Sequence, residues 1–177
     1  MSAVEDALGF TPSQRTGFDT RAIDQDRTLA AVHQLEAASS AAAPGRTQEW
    51  RDGVIAGLVA LDEATRDELE NAESPDSLLS DIKRTQPRLR TRVRGLRLQY
   101  LRLREAIASL RSELDEASDY DTDFADVRQR LSWLSAALRH QRALECDLIY
   151  EAYFDAFDID LDADGRRLGE EECDTDH

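Results

Sequence analysis

The sequence predicts an all-α protein, an antiparallel four-helix bundle with a short extra helix between the second and third long helices. Three observations predict it. Apolar residues between 89 and 114 recur in steps of four and three over more than three heptads. Three further amphipathic stretches are separated only by short segments rich in Pro, Gly and Ser. Nowhere does the chain show the apolar–polar alternation of a strand, nor an internal repeat.

Residues 1–18 carry Gly, Pro and Ser without periodicity and read as an irregular arm. A first helix is expected from Asp19 or Thr20 as cap, through Leu29, Val32 and Leu35, to the break "APG" at 43–45. Thr47 suits the cap of a second helix, which places Trp50, Val54, Leu58, Leu61 and Leu69 on one face. "ESPD" stops it, because Pro75 fits the first turn of a new helix better than the interior of an old one. A short helix from Pro75 to about Arg84 follows. After Pro87 comes the seam of Leu89, Val93, Leu96, Tyr100, Leu103, Ile107, Leu110 and Leu114. The link "SDYDT" leads to a last helix with Phe124, Val127, Leu131, Leu134, Leu138 and Leu148 as core positions. The bundle domain is therefore 19–157, and 158–177 form an acidic tail. The seam after Pro87 could also serve a homodimer, but an intramolecular core is the preferred reading, since bundles use the same spacing inside one chain.

The 177 residues suit one domain, and a 41% hydrophobic share suffices for a core. The 37 acids exceed the 22 bases by 15, and of the bases 21 are Arg and only Lys83 is Lys. This Asp-rich, Lys-poor composition resembles that of proteins from halophilic archaea. Carboxylates hold water, while molar salt screens the repulsion between them. The charge disfavours nucleic acid as a partner of the chain as a whole. Cys146 and Cys173 make no disulfide framework, which suits a reducing cytoplasm. The start "MSAVEDALGF" lacks the basic and apolar regions of a signal peptide. The longest apolar run, "VIAGLVAL", is too short to span a bilayer, so no membrane partner is expected.

Three features invite a chemical reading. In the last helix the rhythm from Leu138 passes through Gln141 and Glu145 before Leu148, placing a carboxylate on a core face. Such a group needs a partner, a proton or a metal. His140 with Glu145, five residues apart, His33 on the first helix, and the stretches "DLIYEAYFDAFDIDLD" and "LLSDIKRTQPRLRTRVRGL" together resemble the hemerythrin-like family over about residues 25–160. The resemblance implies a four-helix bundle whose metal ligands would be His33, His140 and Glu145, with iron as cofactor and oxygen or iron sensing or carriage as role. The departures from that family are large. Its second-helix His-x3-Glu is replaced here by Val59 with Glu63 or Leu58 with Asp62, and its third-helix histidines by Tyr100 and Arg104. An arginine repels a cation. The expectation is a hemerythrin-like bundle without a complete di-iron site and without a cofactor, non-catalytic, serving as a protein-interaction or structural module. Glu145 is then expected to be partly buried, at the core edge, with water or an arginine such as Arg142 as partner.

Between 83 and 104 lie nine basic residues and no acid. Arg90, Arg97 and Arg104 are seven apart and form one line. They read either as a polyanion-binding stripe or as partners for the acids of the second helix, Asp62, Glu63, Asp67, Glu68 and Glu70, with internal pairing preferred. Finally, Asp160, Asp162, Asp164, Gly165 and Glu171 fit positions one, three, five, six and twelve of a calcium loop. Arg167 stands where a small apolar residue belongs, and six residues after Glu171 leave no room for an exit helix. A solvated acidic tail is the preferred reading over calcium. No phosphate loop, nucleophile elbow or Cys-x2-Cys pair is present.

Overall fold

The computed structural model describes residues 9–41, 47–116 and 123–154. These residues are almost wholly helical, with no strand among them. In chain order the elements are α1 (Pro12–Ser40), α2 (Thr47–Glu73), α3 (Leu78–Thr85), a 3-10 turn (Pro87–Leu89), α4 (Arg90–Glu116) and α5 (Phe124–Tyr153). No helix among the described residues is long and apolar enough to cross a membrane.

The first helix begins well before the expected Asp19 or Thr20. Thr11 accepts from the Gln14 backbone N–H at 3.2 Å, and the Gln14 side chain accepts from the Thr11 N–H at 3.0 Å. Pro12, with its fixed φ and missing donor, occupies the first helical position. That reciprocal cap outweighs Gly17, so residues 12–18 belong to α1 and not to the irregular arm. Gly17 sits 3.0 Å, measured from a would-be Cβ, from Leu78 of α3. The short helix starts later than Pro75, at Leu78, because Ser77 takes the capping role and accepts from Ser80 N–H at 3.2 Å. Asp123 caps α5 by accepting from the N–H groups of Ala125 and Asp126 at 3.0 and 3.2 Å.

Close packing of α1 on α2 depends on Gly57. A Cβ there would meet the Leu35 Cα at 3.0 Å, tighter than ordinary contact, so a side chain at 57 would push the two backbones apart. At the C-terminal end of α1, Arg128 of α5 donates to the carbonyls of Ser39 and Ala41, both at 2.9 Å, satisfying acceptors that the helix end leaves open. The same guanidinium lies 5.4 Å from the centre of the Trp50 ring.

The buried apolar residues fall into two clusters. The larger joins α1, α2, α4 and α5 through residues such as Leu35, Leu58, Ile107 and Leu134. The smaller joins Phe10, α3, the start of α4 and the end of α5, with Ile82, Val93, Leu148 and Tyr153 among its members. Asp81 of α3 ties this end together, accepting from Tyr153 at 2.8 Å and Gln14 at 3.1 Å. Burial works against its charge, but Arg84, Gln14 and Tyr153 outweigh it and hold the carboxyl below the ordinary range.

Candidate functional site

Between the two apolar clusters lies a polar layer to which α1, α2, α4 and α5 each contribute. On α2 the apolar series ends at Ala64 and gives way to the buried Thr65 and Glu68. On α4 the layer is marked by Tyr100, between Leu96 and Leu103. On α5 it is Gln141 and Glu145, between Leu138 and Leu148. On α1 it is Arg21, Asp24 and Thr28.

Arg21 organises the layer. Its Nη1 donates to Glu68 Oε1 and its Nη2 to Glu145 Oε2, so one guanidinium bridges carboxylates on two helices. The second Glu68 oxygen accepts from Tyr100 OH and from Thr28 Oγ1, each at 2.6 Å. Asp24, also buried, accepts from Asn71 Nδ2 with both oxygens at 3.0 Å. Gln141 Nε2 donates to the Leu96 carbonyl at 3.0 Å, while Gln141 Oε1 and Arg21 Nε are buried without partners.

The layer holds three carboxylates against one guanidinium, and the electrostatics follow from that surplus. Burial pushes the Glu145 carboxyl up to about 7, with Arg21 pulling against it and the nearby Glu68 and Asp24 pushing with it. Burial also opposes the charge on Arg21, but Glu145 and Glu68 overcome it and raise its pKa. Burial, and then the Glu68 carboxylate, push the Tyr100 hydroxyl far up, so Tyr100 stays protonated and donates to Glu68.

The sequence-predicted residues fall unevenly on this arrangement. Glu145 is 5% exposed, not at the core edge, and its partner is Arg21 rather than Arg142. A straight helix drifts about 20° per heptad, yet Glu145 stays inside the bundle, where it meets Arg21 of α1. His33 and His140 are exposed, so they do not join Glu145. No group of three His, Cys, Asp or Glu suited to a metal ion occurs among the described residues. Of the arginine line, Arg104 pairs with Asp62 at 3.0 Å and Arg97 with Glu73 at 2.5 Å. Arg90 donates from Nε to the Lys83 carbonyl at 2.8 Å. Asp160, Asp162, Asp164 and Glu171 lie outside the described residues.

Sequence reasoning missed Arg21 altogether and read Glu68 only as a possible partner of the α4 arginine line, not as part of this layer. The signal was partial: stepping from Leu58 through Leu61 and Thr65 by three and four reaches either Glu68, which is buried, or Leu69, which is half-buried. Stepping back from Leu35 by the same rhythm gives Val32, Thr28, Asp24 and Arg21. Two cavities border the triad, of about 260 and 190 Å³, and Arg21, Glu68 and Glu145 line both. No protein-family model, curated protein or solved structure matches the chain.

Proposed function

We propose that this chain is a non-catalytic, hemerythrin-like bundle without a complete di-iron site, acting as a protein-interaction or structural module in a high-salt cytoplasm. In this reading α1, α2, α4 and α5 form an antiparallel four-helix bundle and α3 is a short insertion in the connection between α2 and α4. The observation that carries it is Arg21 held between Glu68 and Glu145. Facing carboxylates at the centre of a bundle are what a metal ion is bound by. Here a guanidinium from the same chain supplies the positive charge, and both of its donor arms are occupied. A cation would have to displace that arm and then accept Arg21 as a neighbour. The exposure of His33 and His140 supports the same reading. Trp133, 59% exposed on α5, supports a protein contact, with a second copy of the chain or another partner.

Metal analysis of protein purified without chelator tests it. Iron, zinc and manganese well below one per chain are expected. Iron near two per chain sinks the reading and revives a metal-binding bundle built on His33, His140 and Glu145.

A further inference from the structure

The larger cavity has a form that the triad alone does not require. Its mouth is ringed by Lys83, Arg90, Arg94 and Arg97, all exposed. Its wall is apolar, made by Leu69, Ala72, Leu79, Val93 and Leu96. Its floor is the polar layer, with Tyr100, Gln141 and the Arg21 triad. In a chain of net charge −15, four cations at one opening are a local inversion. Two of them are fixed across the opening, Arg97 by Glu73 of α2 at 2.5 Å and Arg90 by the Lys83 carbonyl of α3 at 2.8 Å. Lys83 and Arg94 have no ion-pair partner among the described residues, so the mouth keeps surplus positive charge. At the floor the Gln141 amide donates to the Leu96 carbonyl, while its Oε1 is closed off from the cavity.

We propose that this cavity binds a small organic anion with a compact apolar body. The anionic group sits at the mouth with Lys83 and Arg94, and the body lies on the Leu69–Leu96 wall. A cavity of about 260 Å³ exceeds the ~150 Å³ that holds a benzene ring, so an aromatic ring with a short side chain fits. A mostly apolar pocket with a few convergent polar groups is the usual form of a small-molecule site. The proposal goes beyond the structural role given above and stands whether or not the chain is also free of metal.

The test uses two matched probes on the full chain, in KCl sufficient for full helical CD: 4-phenylbutyrate and the neutral 4-phenylbutanol. Calorimetry is expected to show one site per chain, with a Kd for the acid on the order of 0.1 mM and the alcohol weaker. The surface variant Lys83→Gln/Arg94→Gln should weaken the acid a few-fold and leave the alcohol unchanged. Ala72→Leu, which narrows the wall, should weaken both. Folding of each variant is checked by CD. No saturable binding of the acid, or equal binding of alcohol and acid, overturns the proposal. So does inorganic phosphate binding with the acid's affinity, since that signals a cationic surface without a pocket. Metal content is unaffected by these variants, so failure here leaves the reading of the triad standing.

Discussion

Arg21 and Glu145 are 124 positions apart in the chain and share a buried ion pair that joins the first long helix to the last. The same guanidinium holds Glu68 of α2. Removing Arg21 therefore strands two carboxylates in the interior at once. Breaking a buried pair by deleting one partner costs about 3–5 kcal/mol, because the remaining charge is uncompensated. Arg21→Met keeps the length of the side chain and should lower unfolding stability by about that amount in urea titrations at pH 8. A loss below about 1 kcal/mol would mean that the carboxylates find water or each other's protons without difficulty.

Glu145 should impose a pH dependence of unusual sign. Its folded pKa is about 7, against about 4.3 for an unfolded glutamate, so the folded state binds the extra proton between those values. Stability contributed by this group is then fully present below about pH 4.3 and is lost as pH rises to 7. The loss is on the order of 3 kcal/mol at about 1.36 kcal/mol per unit. Glu36, Glu113 and Asp81 behave oppositely: their folded values are lowered, so their contribution is present above the ordinary carboxylate range and disappears on acidification. The wild type should be most stable near pH 5, where the two trends cross. Glu145→Gln keeps an acceptor for Arg21 and removes the titration, so it should flatten melting temperature between pH 5 and 7 and be the more stable protein at pH 8. Parallel profiles for the two proteins would show that Glu145 stays ionised throughout.

The arginine line on α4 should matter for stability unequally. Arg104 and Asp62 are both mostly buried, whereas Arg97 and Glu73 are about half exposed. Exposed pairs contribute about 0–1 kcal/mol. Replacing Arg90, Arg97 and Arg104 together by Gln should thus cost a few kcal/mol, with Arg104→Gln alone giving most of it. Nucleic-acid affinity, if measurable, should stay at the non-specific level. A triple variant that keeps its stability and loses a salt-sensitive complex with DNA or RNA would favour the polyanion-binding role.

The apolar framework was legible because its rhythm is uninterrupted. Every seam position from Leu89 to Leu114 is buried, as is each expected α5 core residue except the half-buried Phe124. Helix starts were less so. Thr11 with Gln14 is a capping box that the nearby Gly and Pro disguised as an arm. The polar layer was half legible. Gln141 and Glu145 stood out as polar residues on an apolar seam, and Glu145 proved buried. Their partners did not stand out, because α1 and α2 are rich in charge and the rhythm there tolerates Leu69 as well as Glu68. Which arginine of 21 answers a buried carboxylate is a tertiary fact, fixed by how helices pair and not by spacing along one of them. The cavity was not legible at all: its cations were visible as a basic run, but the wall from α2 and α3 that turns the run into a mouth arises only on folding.

Salt should govern the whole fold, and two opposing effects decide the sign. Salt weakens attractive surface pairs, of which Arg27–Asp67, Arg139–Glu36 and Arg130–Glu113 are examples at 2.7–3.0 Å. Salt also weakens repulsion among the 15 carboxylates in excess of bases, which no pair offsets. Exposed pairs each contribute at most about 1 kcal/mol, and their charges are already close enough to be screened incompletely. The repulsion is summed over many longer separations, where a Debye length falling from about 30 Å at 0.01 M to about 3 Å at 1 M removes nearly all of it. Repulsion therefore loses more, and the melting temperature should rise with KCl from tens of millimolar to molar. The Arg21 triad is largely buried and should respond little, so Arg21→Met should keep the same salt slope at a lower melting temperature. A wild-type melting temperature that is flat or falls with KCl would contradict the halophilic reading and would mean that surface pairing, not excess charge, dominates the electrostatics of this bundle.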